Sequence, residues 1–160
     1  MLEITIICVG KLKEQYLRDA SAEYSKRLSS LCRLNIIELA PERLSENPSK
    51  KEIENALAAE GKRIAEKIPE RAAVFSMCIE GKELSSEELS KKLFSLAASG
   101  VGSVAFIIGG SFGLAPFIKE KSAVRLSVSK MTFPHQLFRV MLLEQIYRAI
   151  QIENGSKYHK

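Results

Sequence analysis

Residues 125–145, Arg-Leu-Ser-Val-Ser-Lys-Met-Thr-Phe-Pro-His-Gln-Leu-Phe-Arg-Val-Met-Leu-Leu-Glu-Gln, pass from a short strand through a polar turn into a long apolar helix. Leu126 and Val128 alternate as strand residues do, and Ser129-Lys130-Met131-Thr132 breaks the run. Phe133-Pro134 then opens the helix, where proline is tolerated because the N–H it lacks has no intrahelical partner in the first turn. Leu137, Phe138, Val140, Met141, Leu142, Leu143 and Ile146 leave that helix no broad polar face. Such a pattern predicts cover on more than one side, here by the chain's own sheet and by a second subunit. Gln136, Arg139, Glu144 and Arg148 are the polar exceptions. Glu144 and Arg148 have the spacing of a helix ion pair, whereas Arg139, set among apolar neighbours, calls for a partner across an interface or an anionic ligand.

Upstream, strands alternate with helices. Glu3–Val9 reads as a strand stopping at Gly10, and Lys13–Leu31 as a helix with Tyr16, Leu17, Ala20, Tyr24 and Leu28 on one face. Leu34–Leu39 is a second strand, and Pro41–Pro48 a loop. Ser49-Lys50-Lys51-Glu52 has the capping-box form and starts a helix that Pro69 ends. Ala73–Ile79 is a third strand, closed by Glu80-Gly81-Lys82. A second capping box, Ser85-Ser86-Glu87-Glu88, begins a helix to about Ala98. Val104–Ile108 is a buried strand breaking into Gly109-Gly110-Ser111-Phe112-Gly113, and Pro116–Lys121 a short helix. The alternation predicts one α/β domain over residues 1–160, with a mainly parallel sheet covered by helices on both faces. Ligands in such sheets bind beyond the carboxyl ends of strands, so Met77–Lys82, Gly109–Leu114 and Val128–Phe133 compete for function.

Composition narrows the class. At 160 residues with 46% hydrophobic and 27% charged content, the chain suits a globular domain with a real core. No signal-like or membrane-spanning run is present, and three scattered cysteines without a C-x-x-C pair argue against disulfides and zinc. A reduced cytoplasmic setting without membrane or metal is expected. A net charge of +5 permits a nucleic-acid partner without requiring one.

Residues 109–113 lack the lysine of a P-loop and the spacing of a dinucleotide fingerprint, but they match G-x-S-x-G. That raises a serine hydrolase as a rival, with Ser111, Glu144 or Glu153, and His159 in triad order. His135, alone in a helical first turn, is more ordinarily a structural donor than a catalyst. The tail Asn154-Gly155-Ser156-Lys157-Tyr158-His159-Lys160 follows a glycine stop and has the composition of a frayed terminus. It nonetheless combines a ring, an imidazole and cations that can stack on and hydrogen-bond to an unpaired RNA base.

Taken in order, Cys8–Lys13, Phe106–Ser111, Leu126–Gln136, Arg139-Val140, Glu144–Ala149 and Tyr158-His159-Lys160 closely resemble one family over the whole chain. It is the SPOUT-class family of large-subunit ribosomal RNA pseudouridine N3-methyltransferases. The resemblance implies a C-terminal deep trefoil knot, a homodimer, and S-adenosylmethionine bound by Met77, Gly109, Val128, Ser129, Lys130, Met131, Thr132 and Phe133. It also implies a composite site in which the tail, through His159 and Tyr158, meets the dimer partner, with Arg139 contributing. The implied substrate is large-subunit ribosomal RNA; the small size of the domain predicts recognition of the assembled ribosome, and no DNA partner is expected. Phe112 departs from the polar residue of related chains and is left out of the binding set. A ribosome-associated binding factor that keeps the fold without the chemistry is the non-enzymatic alternative.

Overall fold

The computed structural model describes all residues, Met1–Lys160. Five strands form one parallel sheet: β1 (Glu3–Val9), β2 (Arg33–Leu39), β3 (Ala73–Glu83), β4 (Ser103–Ile108) and β5 (Val124–Ser127), in the order β2-β1-β4-β3-β5. Five helices connect or follow them: α1 (Gln15–Leu28), α2 (Lys50–Lys67), α3 (Ser86–Ala98), α4 (Pro116–Lys121) and α5 (His135–Glu153).

Alternation along the central strands makes two cores. Ile4, Ile6 and Cys8 of β1 and Val104, Phe106 and Ile108 of β4 point to the face covered by α1, α3 and α5. Ile7, Val9 and Ile107 point to the other face, where Ile64 of α2 and Ile118 of α4 meet them. Both faces are dry, which is why these strands read as continuous apolar runs. Helix α5 buries Leu142, Leu143, Ile146, Ala149 and Ile150 in the larger core. Leu137 on its opposite side stays 37% exposed.

Two boundaries and two local features differ from the sequence expectation. Helix α1 begins at Gln15, because the Lys13 backbone N–H donates to Gln136 Oε1 of α5 (2.8 Å). Tyr16, expected on its apolar face, lies before that face begins and is 68% exposed. The Ser49 box is only half formed: its hydroxyl accepts from the Glu52 N–H, but the Glu52 carboxylate turns to the Ser45 hydroxyl. The Ser85–Glu88 box is complete. Strand β3 does not stop at Ile79 but resumes to Glu83, since Lys82 and Glu83 pair with Leu126 and Ser127 after a register break following Met77.

That break bulges Cys78–Gly81 out of the ladder and brings two backbones into close approach. A Cβ on Gly81 would lie 2.8 Å from backbone atoms of Arg125 and Leu126, whereas one on Gly102 would meet nothing within 4 Å. Gly81→Ala is therefore expected to lower the unfolding free energy by ~1–3 kcal/mol, with Gly102→Ala close to neutral. Urea unfolding of the two variants checks this; equal midpoints would contradict it.

Candidate active site

The carboxyl ends of β3, β4 and β5 open into one cleft of about 750 Å³, closed on one side by the first turn of α5. Of the residues expected to bind cofactor, Met77, Gly109, Val128, Ser129, Met131, Thr132 and Phe133 line it. Lys130 is not among the lining residues and is exposed. The loop between β5 and α5 is braced internally: the Ser127 hydroxyl donates to Ser129 O (2.9 Å), and the Met131 N–H donates to Ser129 Oγ (3.0 Å). Gly109 must lack a Cβ, which would sit 2.3 Å from Gly113 O. The glycines thus allow the β4 exit to fold back on itself.

Sequence reasoning missed other wall residues. Cys78, Ile79 and Glu80 enter through the β3 bulge, which no local pattern announced. Lys119 of α4 pairs with Glu80 and, by that hydrogen bond, holds its carboxyl below the usual range. Phe112, set aside in the sequence reading, lines the cleft and is 49% exposed. With Ile79, Val128 and Met131 it makes an apolar rim. His135 also faces the cleft, half-buried; burial first, then Arg139 and Lys13, lower its pKa below 6.5.

Arg139 is held within its own chain. Its side chain is 5% exposed, with Nη1 2.6 Å from Glu38 Oε2 and Nη2 donating to Gly10 O at 3.0 Å. The guanidinium ties the ends of β1 and β2 to α5, and burial makes this pair costly to break.

The tail is packed, not frayed. The Tyr158 hydroxyl donates to Glu144 Oε2 (2.9 Å), its ring meets Tyr147 edge-on at 4.9 Å, and the Arg148 guanidinium lies 4.6 Å over it. Burial and then Glu144 raise the Tyr158 phenol pKa. Arg148 and Glu144 form the expected helix ion pair (2.7 Å). His159 Nε2 lies 2.7 Å from Glu87 Oε1, and Nδ1 lies 3.4 Å from Arg148 Nη1. That contact with His159, aided by the Glu87 backbone and Ser85, holds the Glu87 carboxyl down to about 2.

The cleft takes the first turn of α5 at His135, whereas the tail folds back onto Glu144 and Arg148, roughly 14–20 Å further along the helix at 1.5 Å per residue. Within one chain, Ser111 in the cleft and His159 in the tail cannot meet. Glu144 is also taken by Arg148 and Tyr158, so no triad of Ser111 and His159 forms within one chain.

His135 gives a pH signature. Its folded-state pKa lies below its unfolded value of 6.5, so the unfolded chain binds the proton first on acidification. Stability from this site is constant above about pH 6.5 and falls as pH drops toward the folded pKa. His135→Gln should flatten that dependence in urea melts between pH 7.5 and 5. Identical pH slopes in variant and parent would contradict it.

Comparison with known proteins identifies the family. The family profile described as "Predicted SPOUT methyltransferase" matches residues 2–159. The chain is 52% identical over 159 residues to the ribosomal RNA large subunit methyltransferase H of Bifidobacterium adolescentis, covering 99% of this chain and 100% of that protein. Proteins of the same name from Clostridium beijerinckii and Clostridioides difficile are 50% and 51% identical with the same coverage. The solved SpoU methyltransferase AviRb of Streptomyces viridochromogenes, in complex with AdoMet, superposes with a TM-score of 0.44 at 10% identity, over 96% of this chain and 58% of that one. The sequence matches alone carry the assignment: the chain belongs to the ribosomal RNA large subunit methyltransferase H family, of the SPOUT methyltransferase class.

Proposed function

We propose that this chain, as a homodimer, transfers a methyl group from S-adenosylmethionine to N3 of a pseudouridine in the large-subunit RNA of the assembled ribosome. Family membership supports methyl transfer to ribosomal RNA. The observation that carries the shared site is the separation of cleft from tail along α5. Two regions roughly 14–20 Å apart along one rigid helix do not converge on one base. A two-fold dimer resolves this by setting the tail of one chain at the cleft of the other.

The cleft fits the cofactor by its own chemistry. An apolar rim of Ile79, Phe112, Val128 and Met131 suits an adenine face, and Ser129, Thr132 and loop backbone offer polar contacts. Met77, Gly109, Val128, Ser129, Met131, Thr132 and Phe133 would hold it, with Lys130 at the margin. Bound S-adenosylmethionine supplies an activated methyl group to an attacking nitrogen without a metal. The proposal includes a deep trefoil knot around β5 and α5, on the resemblance to the SPOUT class alone.

N3 carries a proton and is a poor nucleophile until the proton leaves or the anion is stabilised. His159 serves N3, Tyr158 positions the base, and Lys160 faces developing charge or phosphate. Arg139 enters only as the brace that fixes the β1–α1 loop beside His135. Cleft residues position the reacting groups, which can account for much of the barrier reduction. A single α/β domain of this size covers little RNA, so an assembled ribosomal surface is the expected substrate.

The test is transfer of labelled methyl from S-adenosylmethionine to ribosomes lacking the modification, followed by mapping of the labelled nucleoside. Label on N3 of a large-subunit pseudouridine is expected, with a short naked RNA much poorer. Label on another nucleoside, or none despite cofactor binding, would overturn the proposal. His159→Ala should lower turnover roughly 10²- to 10⁴-fold with cofactor affinity unchanged. Unaltered turnover would remove His159 from the mechanism.

A further inference from the structure

His159 does not stand alone at the end of the chain. Glu87, in the first turn of α3, reaches it from an element that neither the tail motif nor the cleft involves. We infer that Glu87 is a positioning residue for the reaction: it fixes the His159 imidazole with its proton on Nε2, leaving Nδ1 as the base that receives the N3 proton of the pseudouridine. This rests on the reading of His159 as the tail residue that serves N3.

The hydrogen-bond inventory carries the assignment. An ionised carboxylate only accepts, so the 2.7 Å contact requires a hydrogen on Nε2. A guanidinium only donates, so Arg148 Nη1 at 3.4 Å from Nδ1 disfavours a second hydrogen there. Arg148 is held in that place by Glu144, which also anchors Tyr158. The charged and titratable groups around the ring are thus Glu87 from α3, Arg148 from α5 with Glu144 and Tyr158 behind it, and Lys160 next in the chain. The contact to Arg148 is long and weak, so Nδ1 can exchange it for a substrate proton.

In the step itself, the pseudouridine N3–H bond breaks and an Nδ1–H bond forms on His159. The electron pair of the broken bond stays on N3, which becomes the nucleophile. The imidazolium so formed keeps its Nε2–H on Glu87, whose negative charge offsets the new positive one. This is the logic of an acid–histidine pair orienting a base, with the two ring nitrogens in exchanged roles. Glu87 is 53% exposed on its own, so water weakens its effect until RNA covers the pair.

Glu87→Gln and Glu87→Asp are compared with His159→Ala in methyl transfer to intact ribosomes across pH, with circular dichroism confirming the fold. Ring-nitrogen NMR of the free protein gives a readout independent of activity; His135 and His159 are the only two histidines to assign. Glu87→Gln should lower kcat roughly tenfold with cofactor affinity unchanged. Without the negative charge the imidazolium is less stable, so the acid limb of the rate profile moves to lower pH. Glu87→Asp should retain more turnover than Glu87→Gln, and the spectrum should change from the Nε2–H form in the parent to a mixture in Glu87→Gln. If His159→Ala abolishes transfer while Glu87→Gln keeps the parent's kcat, pH limb and tautomer, the role of Glu87 is refuted and that of His159 stands. If His159→Ala leaves turnover intact, the reading of His159 fails, and this inference with it.

Discussion

The burial of α5 against the sheet is the constraint from which the rest of the molecule follows. Leu142, Leu143 and Ile146 are essentially inaccessible, and burying each contributes about 1.5–3 kcal/mol. They lock the helix over β1, β4 and β3, with α1 and α3 on either flank. A helix held this way is a rod, and its two ends have fixed addresses. Its first turn closes the cleft through His135, while its second half carries Glu144, Tyr147 and Arg148, the seat of the tail. Separation of cleft and tail is built into the packing and is not a matter of a loose terminus.

Each end is tied down by polar contacts of long sequence range. Near the first turn, Arg139 joins Glu38 and Gly10, and Gln136 accepts from Lys13, so the β1–α1 loop is fixed beside the cleft. Near the last turn, the Ser86 hydroxyl donates to Gln145 and the Ser90 hydroxyl to Ala149 O, fastening α3 alongside the helix. Those contacts are what bring Glu87 within reach of His159. The completed Ser85–Glu88 box helps in the same way, since it sets the first turn of α3 from which Glu87 projects. An element that looks like scaffold in the sequence therefore shapes the environment of the tail.

The sequence was legible where its signals are local. Alternating apolar runs located the strands, capping motifs located α2 and α3, and the strand-end rule chose three loops that the fold does gather into one cleft. Strand order was not legible, because pairing β4 between β1 and β3 is decided by packing across the sheet. Residues 78–80 were missed for a related reason: the bulge depends on where Lys82 and Glu83 find partners on β5. Arg139 was noticed as anomalous, but its partner lies 101 positions away and nothing near it names Glu38. The tail has a polar composition that reads as disorder, yet its order comes from Tyr147, Arg148 and Glu87, none of them adjacent to it. The resemblance supplied what local patterns could not: a use for the cleft and a reason for the tail to matter.

The central claim is that a working site needs the cleft of one chain and the tail of another. It is tested most directly by mixing two inactive variants. Gly109→Ala disables the cleft, because its Cβ would lie 2.3 Å from Gly113 O, and His159→Ala disables the tail. Subunits exchanged in equal amounts should regain about a quarter of the parent rate, since half of the dimers are mixed and each holds one intact site of two. No recovery, with mixed dimers demonstrated and Gly109→Ala folded, would contradict a site shared between chains.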